Sequence, residues 1–421
     1  MCTPQNIIAG AFGGVLEFAA AFAGKATNCM LPLDGIKVLA IEQAVAAPLA
    51  SRHLADFGAR VIKIERPGGG DFSRGYDTAV RGMSSWFVWL NRSKESLTLD
   101  LKQAEGKSIV DRLIGESDVL LHNLAPGAAE RLGLSGDALL AKYPRLIVCE
   151  ISGYGAGGPY EGKKAYDLLI QNETGLVAST GTPESPAKTG ISAADIAAGV
   201  YAFSGVLLAL RKRDQTGRGS VLRVSLFDAL SEWMLPAGYF AAYSGKAPRP
   251  SGAEHASIAP YGPYRCGDGN EVTLAIQNER EWERFCASVL RRPEVASDPR
   301  FRRNPLRSEN RAALRSVIEE AFAALTMEQA TERLEAADIA SAQRKTVQQF
   351  WEHPQHAARK RWREIDSPVG TLAALEPAII MDGFEARMGG VPALGQHTDA
   401  ILNRLGYSAT EISRLRAAAV I

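Results

Sequence analysis

Between Ile36 and Ile151 the chain alternates short apolar runs with longer stretches of helical spacing. IKVLAIE (Ile36–Glu42), RVIKIE (Arg60–Glu65), SLTLDL (Ser96–Leu101), DVLLHN (Asp118–Asn123) and RLIVCEI (Arg145–Ile151) have the length and apolar density of buried strands. Between the first two, APLASRHLADFG spaces Leu49, Leu54 and Phe57 for a helix and stops at Gly58. AEGKSIVDRLIGES reads as another helix before the fourth run. Strands alternating with helices at this spacing predict an α/β fold: a parallel sheet covered on both faces.

A glycine-rich loop, SGYGAGGPYEG (Ser152–Gly162), ends that pattern. YDLLIQNETGLVAST then reads as one helix. SAADIAAGVYAFSGVLLALRKRD (Ser192–Asp214) reads as a second, with Ser192 as N-cap and cations in its last turn. SVLRVS is a sixth strand and LFDALSEWMLPAGYFAAYSG a further helix. Lys246–Asn270 is rich in Pro and Gly and reads as a linker or binding loop. EVTLAI and the charged helices from Glu279 to about Arg344 form a smaller α+β region. The C-terminal stretch returns to helix, with Thr398 or Ser408 as caps. The expected division is an extension over 1–30, a large domain over 31–245, a small domain with linkers over 246–370, and a return to the large domain over 371–421.

The extension is apolar from Ile7 to Gly24, yet it carries Glu17 and four glycines, and no Lys or Arg precedes it. It lacks the charged start of a signal peptide. It reads as a dispensable extension, with Met30 as an alternative start.

Composition narrows the partners. Of 421 residues 23% are charged and 46% hydrophobic, with net charge +1. No global field favours nucleic acid or an anionic membrane, so an anionic ligand needs a local group of cations. Cys2, Cys29, Cys149, Cys266 and Cys286 form no C-x-x-C, which fits a reducing, cytoplasmic setting better than disulfides or a zinc site.

Open parallel sheets bind ligands at the carboxyl ends of their strands. Arg66 stands there in RPGGGDFSRG, whose glycines let backbone N–H groups approach a phosphate. Asn123 and Arg131 follow the fourth run, and LNRSKES adds Arg92 and Lys94. The dinucleotide fingerprint G-x-G-x-x-G is missing after the first strand, as is the P-loop. Asp167 meets the glycine loop at the start of an apolar helix. It is either a helix cap or the group that does chemistry; no capping box supports the cap, since Ile170 stands at the third position on.

The segments LPLDGIKVLAIEQAVAAPLASRHLADFGARVIKIERPGGGD, LNRSKESLTLDL, NLAPGAAERLG, ISGYGAGGPY…AYDLLIQNETGL, TGRGSVLRVSLFDAL and LGQHTDAIL resemble, in this order, the family III CoA-transferases of the CaiB/BaiF type. The resemblance covers nearly the whole chain from Leu31. It implies a Rossmann-like large domain, a smaller domain and an interlocked homodimer. It implies that Asp167, in the Y-D-x-x-x-Q motif, is the nucleophile. The positions matching the family's CoA contacts are Val45, Ala46, Arg66, Asn123, Leu124, Arg131, Ser152, Gly153, Tyr154 and Gly155. Val45 stands where some relatives carry glutamine, and Ser152 where some carry lysine.

On that resemblance Asp167 attacks an acyl-CoA thioester to form a mixed anhydride. The released thiolate converts the anhydride to an aspartyl-CoA thioester, and an acceptor acid reverses the steps. Acid and thioester exchange for acid and thioester, so no metal or other cofactor is expected; the CoA thioester is a substrate. The GYGAGG backbone would steady the oxyanion, and His255–Pro263 is a candidate lid. The subgroup most resembled moves CoA from succinyl-CoA to C4–C6 dicarboxylic acids such as itaconate, mesaconate, malate or citramalate. Arg249, Arg265 and Arg280 are candidate partners for the second carboxylate. Transfer to oxalate from formyl-CoA, or to carnitine or bile acids, is the alternative within the class. The family's racemases use a histidine before the aspartate; here Tyr166 occupies that place, a poor base near neutral pH. A non-catalytic CoA-binding protein on the same scaffold is the reading from another class.

Overall fold

Six parallel strands organise the computed structural model, which describes residues 30–421; the apolar run Ile7–Gly24 lies outside them. The strands are β1 (Lys37–Ile41), β2 (Arg60–Glu65), β3 (Lys94–Thr98), β4 (Val119–His122), β5 (Ile147–Ser152) and β6 (Ser220–Ser225). Their order is β3-β2-β1-β4-β5-β6, that of a Rossmann-type sheet with its switch point between β1 and β4. Val38 faces Val61 on one side and Val119 on the other.

Strand alternation sorts the apolar side chains. Val38, Ala40, Val119, Leu121 and Cys149 join one core; Leu39, Ile41, Leu120 and Val148 join the other. The first core is covered by α1 (Ala46–Asp56), α2 (Asp167–Glu173), α3 (Ala193–Thr216) and α4 (Leu226–Ser244). The second is covered by the helices Ala104–Gly115, Thr398–Arg404 and Ala409–Ala417. Small residues let α3 sink onto α1: Ala194, Ala197, Ala198 and Ala202 are buried. A Cβ on Gly199 would lie 2.7 Å from the Ala46 carbonyl oxygen.

Several sequence expectations need correction. The stretch YDLLIQNETGLVAST is two helices, Asp167–Glu173 and Leu176–Ser179, because Gly175 takes φ 78° between them. The third strand spans Lys94–Thr98 and stops before Leu99. The supposed linker contains a strand, Tyr261–Arg265, paired antiparallel with Glu271–Ala275, whose other neighbour is Ala340–Gln343. These three strands pack on Trp282, Phe285, Phe301 and Phe322 in a core of their own. Of the two proposed C-terminal caps, Ser408 closes a capping box with Glu411, whereas the Thr398 hydroxyl meets that of Thr98 at 3.0 Å. The candidate lid is fastened to this second core: Arg311 donates to the carbonyls of His255 (2.7 Å) and Ala256 (3.1 Å), and Arg307 to that of Ala259 (2.7 Å).

Candidate active site

Asp167 is the first residue of α2, preceded by Tyr166 in extended conformation. Its side chain makes no cap on its own helix. Oδ1 instead accepts from the N–H groups of Ala194 (2.8 Å) and Asp195 (3.3 Å), in the first turn of α3. Those are orphan donors of that helix, and the positive end of its dipole favours a carboxylate there. Ser192 sits at the N-cap of α3 but makes no side-chain cap; Asp167 takes that role from another helix. Oδ2 accepts from Gln171 Nε2 at 2.7 Å, one helical turn along. Gln171 is fully buried, and its Oε1 accepts from the Thr189 N–H at 3.2 Å. The half-buried Asp167 carboxylate is thus held by neutral donors only.

Asp195 adds a second carboxyl. Burial, followed by the charge on Asp167, pushes its pKa up to about 7. Two acids at one helix start therefore differ in environment, and one keeps its proton into the neutral range.

Beneath the ends of β1 and β2 lies a buried charge network. Glu42 accepts from Lys94 (2.7 Å), Lys63 (3.2 Å) and Ser51 (2.6 Å). Lys63 also donates to Asp71 (2.7 Å), which in turn accepts from the backbone N–H groups of Ala44 (2.9 Å) and Ser73 (2.8 Å). Glu65 accepts from Arg74 and Ser96. Burial acts to raise the Glu42 pKa, but Lys63 and Lys94 outweigh it and hold the carboxyl below the usual range. Burial, with Lys63 nearby, lowers Lys94 to about 8 against the pull of Glu42. The network fixes the loops after β1 and β2, which carry Val45 and Arg66. It also corrects the sequence reading of the cations: Lys94 is committed to Glu42, and Arg92 pairs with Asp56 at 2.8 Å. Neither is free to meet a ligand.

Arg66 and Arg131 are different. Both are exposed, and neither forms an ion pair among the described residues. The Arg66 guanidinium lies 4.7 Å from the Phe72 ring. Val45 and Ala46 are buried at the start of α1, so any ligand contact falls to their backbone and not to their side chains. Asn123 is spent on a clamp across the switch point: its Nδ2 donates to the Gln43 carbonyl (2.8 Å) and its Oδ1 accepts from the Gln43 N–H (2.9 Å). Leu124 packs on the second core.

The glycine loop is tightly built. Ser152 Oγ accepts from the Gly155 N–H at 3.1 Å, and Gly155 takes φ 82°. A Cβ on Gly153 would lie 2.2 Å from that of Ala165, two residues before Asp167. The Tyr154 ring packs on Tyr160 and Phe227, with centroids 5.2 and 5.9 Å apart. Val45, Arg66, Asn123 and the glycine loop therefore follow the carboxyl ends of β1, β2, β4 and β5, the side on which such a sheet binds ligands. Arg265 and Arg280 instead lie exposed on the smaller core's elements, and Arg249 is exposed in the segment leading to it. None of the three bonds to any residue around Asp167. Thr189 and Asp195 were not singled out from sequence; Gln171 stood there as the last residue of the Y-D-x-x-x-Q motif, with no role assigned. Among the described residues no group of three or more His, Cys, Asp or Glu is arranged to hold a metal.

Residues 33–398 match the family described as CoA-transferase family III. A succinyl-CoA–D-citramalate CoA-transferase of Chloroflexus aurantiacus is 32% identical over 400 residues, covering 93% of this chain and 98% of that protein. An acetyl-CoA:oxalate CoA-transferase of Acetobacter aceti is 36% identical over 293 residues, 69% of this chain and 75% of that one. The crystal structure of a CaiB/BaiF family protein from Brucella suis superposes with a TM-score of 0.77 at 32% identity, covering 89% of this chain and 99% of that one.

Proposed function

Since the chain belongs to CoA-transferase family III and is a CoA-transferase, we propose that it moves CoA from succinyl-CoA to a small dicarboxylic acid, with Asp167 as the covalent carrier. The observation that supports this most is the state of the Asp167 carboxylate. It is half-buried, at the edge of the glycine loop, and all its partners are neutral N–H groups. A carboxylate without a cation partner keeps its charge available for attack.

Arg66 and Arg131 would receive the anionic end of the coenzyme, as charge-assisted donors suit phosphate oxygens. The backbone of Val45, Ala46 and Gly153–Gly155, with Leu124 and Tyr154, would line the path from there to Asp167. Succinyl-CoA is favoured as donor, and citramalate as acceptor, by the likeness to the Chloroflexus enzyme; malate, itaconate and mesaconate are small diacids of the same kind. The likeness to the Acetobacter enzyme supports a shorter diacid, oxalate, as the second reading. The exposed apolar side chains of α4, among them Trp233, Tyr239, Phe240 and Tyr243, support a homodimer. Light scattering on the purified protein should give twice the chain mass, and a monomer would refute this part.

The test of function is direct. The protein is incubated with succinyl-CoA and a panel of mono- and dicarboxylic acids, and new CoA esters are identified by mass spectrometry. Products confined to dicarboxylates support the reading; transfer to carnitine or bile acids, or to no acid, refutes it. Asp167→Ala should abolish transfer while CoA binding persists. Hydroxylamine should label Asp167 in the wild type during turnover.

A further inference from the structure

Gln171 has both ends of its amide committed. The Thr189 N–H can only donate, so the group facing it at 3.2 Å is Oε1. The amide therefore has one orientation, with Nε2 directed at Asp167 Oδ2 (2.7 Å). A second donor within reach of Oε1, the Thr189 hydroxyl at 3.3 Å, reinforces that choice. No part of Gln171 is exposed, so solvent does not compete for the amide.

An ionised carboxylate offers about four lone-pair directions, two on each oxygen. Here Oδ1 uses two, on Ala194 and Asp195, and Oδ2 uses one, on Gln171. The vacant one is on Oδ2. We infer that Gln171 is a positioning residue that selects Oδ2 of Asp167 as the attacking oxygen and leaves Oδ1 on the α3 N–H groups throughout the cycle. This rests on Asp167 being the nucleophile.

The two oxygens then have separate fates. Oδ2 forms a bond to the acyl carbon, the C–S bond breaks, and its electron pair leaves on the CoA thiolate. The thiolate next bonds to Cγ of Asp167, and the displaced pair goes to Oδ1, where the Ala194 and Asp195 N–H groups already point. When that adduct collapses, the Cγ–Oδ2 bond breaks and Oδ2 departs in the released acid. The acceptor acid supplies a new Oδ2 by the reverse steps, so atoms and charge balance over the cycle. The first turn of α3 thus serves the adduct on the enzyme's own side chain.

Two variants test this. In Gln171→Leu, which keeps volume but no amide, kcat should fall about a hundredfold, the usual effect of losing one preorganised donor, with KM for the acyl-CoA unchanged. In Gln171→Glu a second carboxylate faces Asp167, so the acid limb of the rate profile should move to higher pH by about one unit or more. A merely structural glutamine would lower stability in Gln171→Leu without splitting kcat from KM, and the limb in Gln171→Glu reports how close the two side chains lie. Wild-type kcat in Gln171→Leu, or an unmoved acid limb in Gln171→Glu, overturns the inference while hydroxylamine labelling of Asp167 stands. Active wild-type enzyme with no label at Asp167 overturns the nucleophile itself, and the role of Gln171 with it.

Discussion

The backbone N–H of Asp195 donates to the carboxylate of Asp167 at 3.3 Å, so two acids meet at the start of one helix. Burial and the Asp167 charge raise Asp195 to about 7, against about 3.9 for an unfolded aspartate. Between those values the native state holds the proton that the unfolded state has lost, so this group's contribution to stability falls as pH rises from about 4 to about 7. Asp195→Asn removes the dependence. Its melting temperature should exceed that of the wild type at pH 8 and converge with it near pH 4. Equal differences at both pH values would contradict the linkage.

Glu42 is the common acceptor of two buried lysines, Lys63 and Lys94. Removing one member of a buried charge network leaves uncompensated charge, at a cost of about 3–5 kcal/mol. Glu42→Ala should lose stability of that order in urea denaturation. A change below about 1 kcal/mol, typical of an exposed pair, would show that the lysines reach water.

Arg66 and Arg131 are exposed and free of ion pairs among the described residues. If both meet the coenzyme's phosphates, Arg66→Ala and Arg131→Ala should each weaken acyl-CoA binding by about 1.5–3 kcal/mol, the worth of a hydrogen bond to a charged group. KM for the acceptor acid should stay put, and the loss should shrink at high salt. An equal rise in both KM values would point away from phosphate contact.

Gly153 needs no unusual φ; it is required because Ala165 leaves no space for a Cβ. Gly153→Val should push apart the glycine loop and the approach to Asp167. A displacement of about 1 Å at reacting groups costs on the order of a hundredfold in rate. Stopped-flow turnover, with CoA affinity measured separately, would check this; an unimpaired kcat would show that the loop tolerates the displacement.

The strands of the six-stranded sheet were legible because each is a short apolar run closed by polar or glycine residues; RVIKIE matches its strand residue for residue, whereas Tyr261–Arg265, which contains Gly262, Pro263 and Arg265, was hidden in the supposed linker. The helix break at Gly175 was not, because Leu176 and Val177 continue the apolar pattern past it and only the backbone turn reveals the stop. The fate of the cations was hidden by chain distance. Arg92 finds Asp56 36 residues away, and Lys94 finds Glu42 52 residues away. Neither separation leaves a mark in local spacing. Asp167 was visible as a choice between cap and chemistry. The structure shows a cap on a helix 27 residues further along, a pairing that i,i+3 and i,i+4 rules do not reach.

Gly199 brings the backbone of α3 against the Ala46 carbonyl with no side chain between them. The two helices begin, respectively, at the donors that hold Asp167 and at the loop after β1. Welded this closely, the two starts travel as a single block. A change at either start is then felt at both, so the loop after β1 and the carboxylate of Asp167 are not repositioned separately.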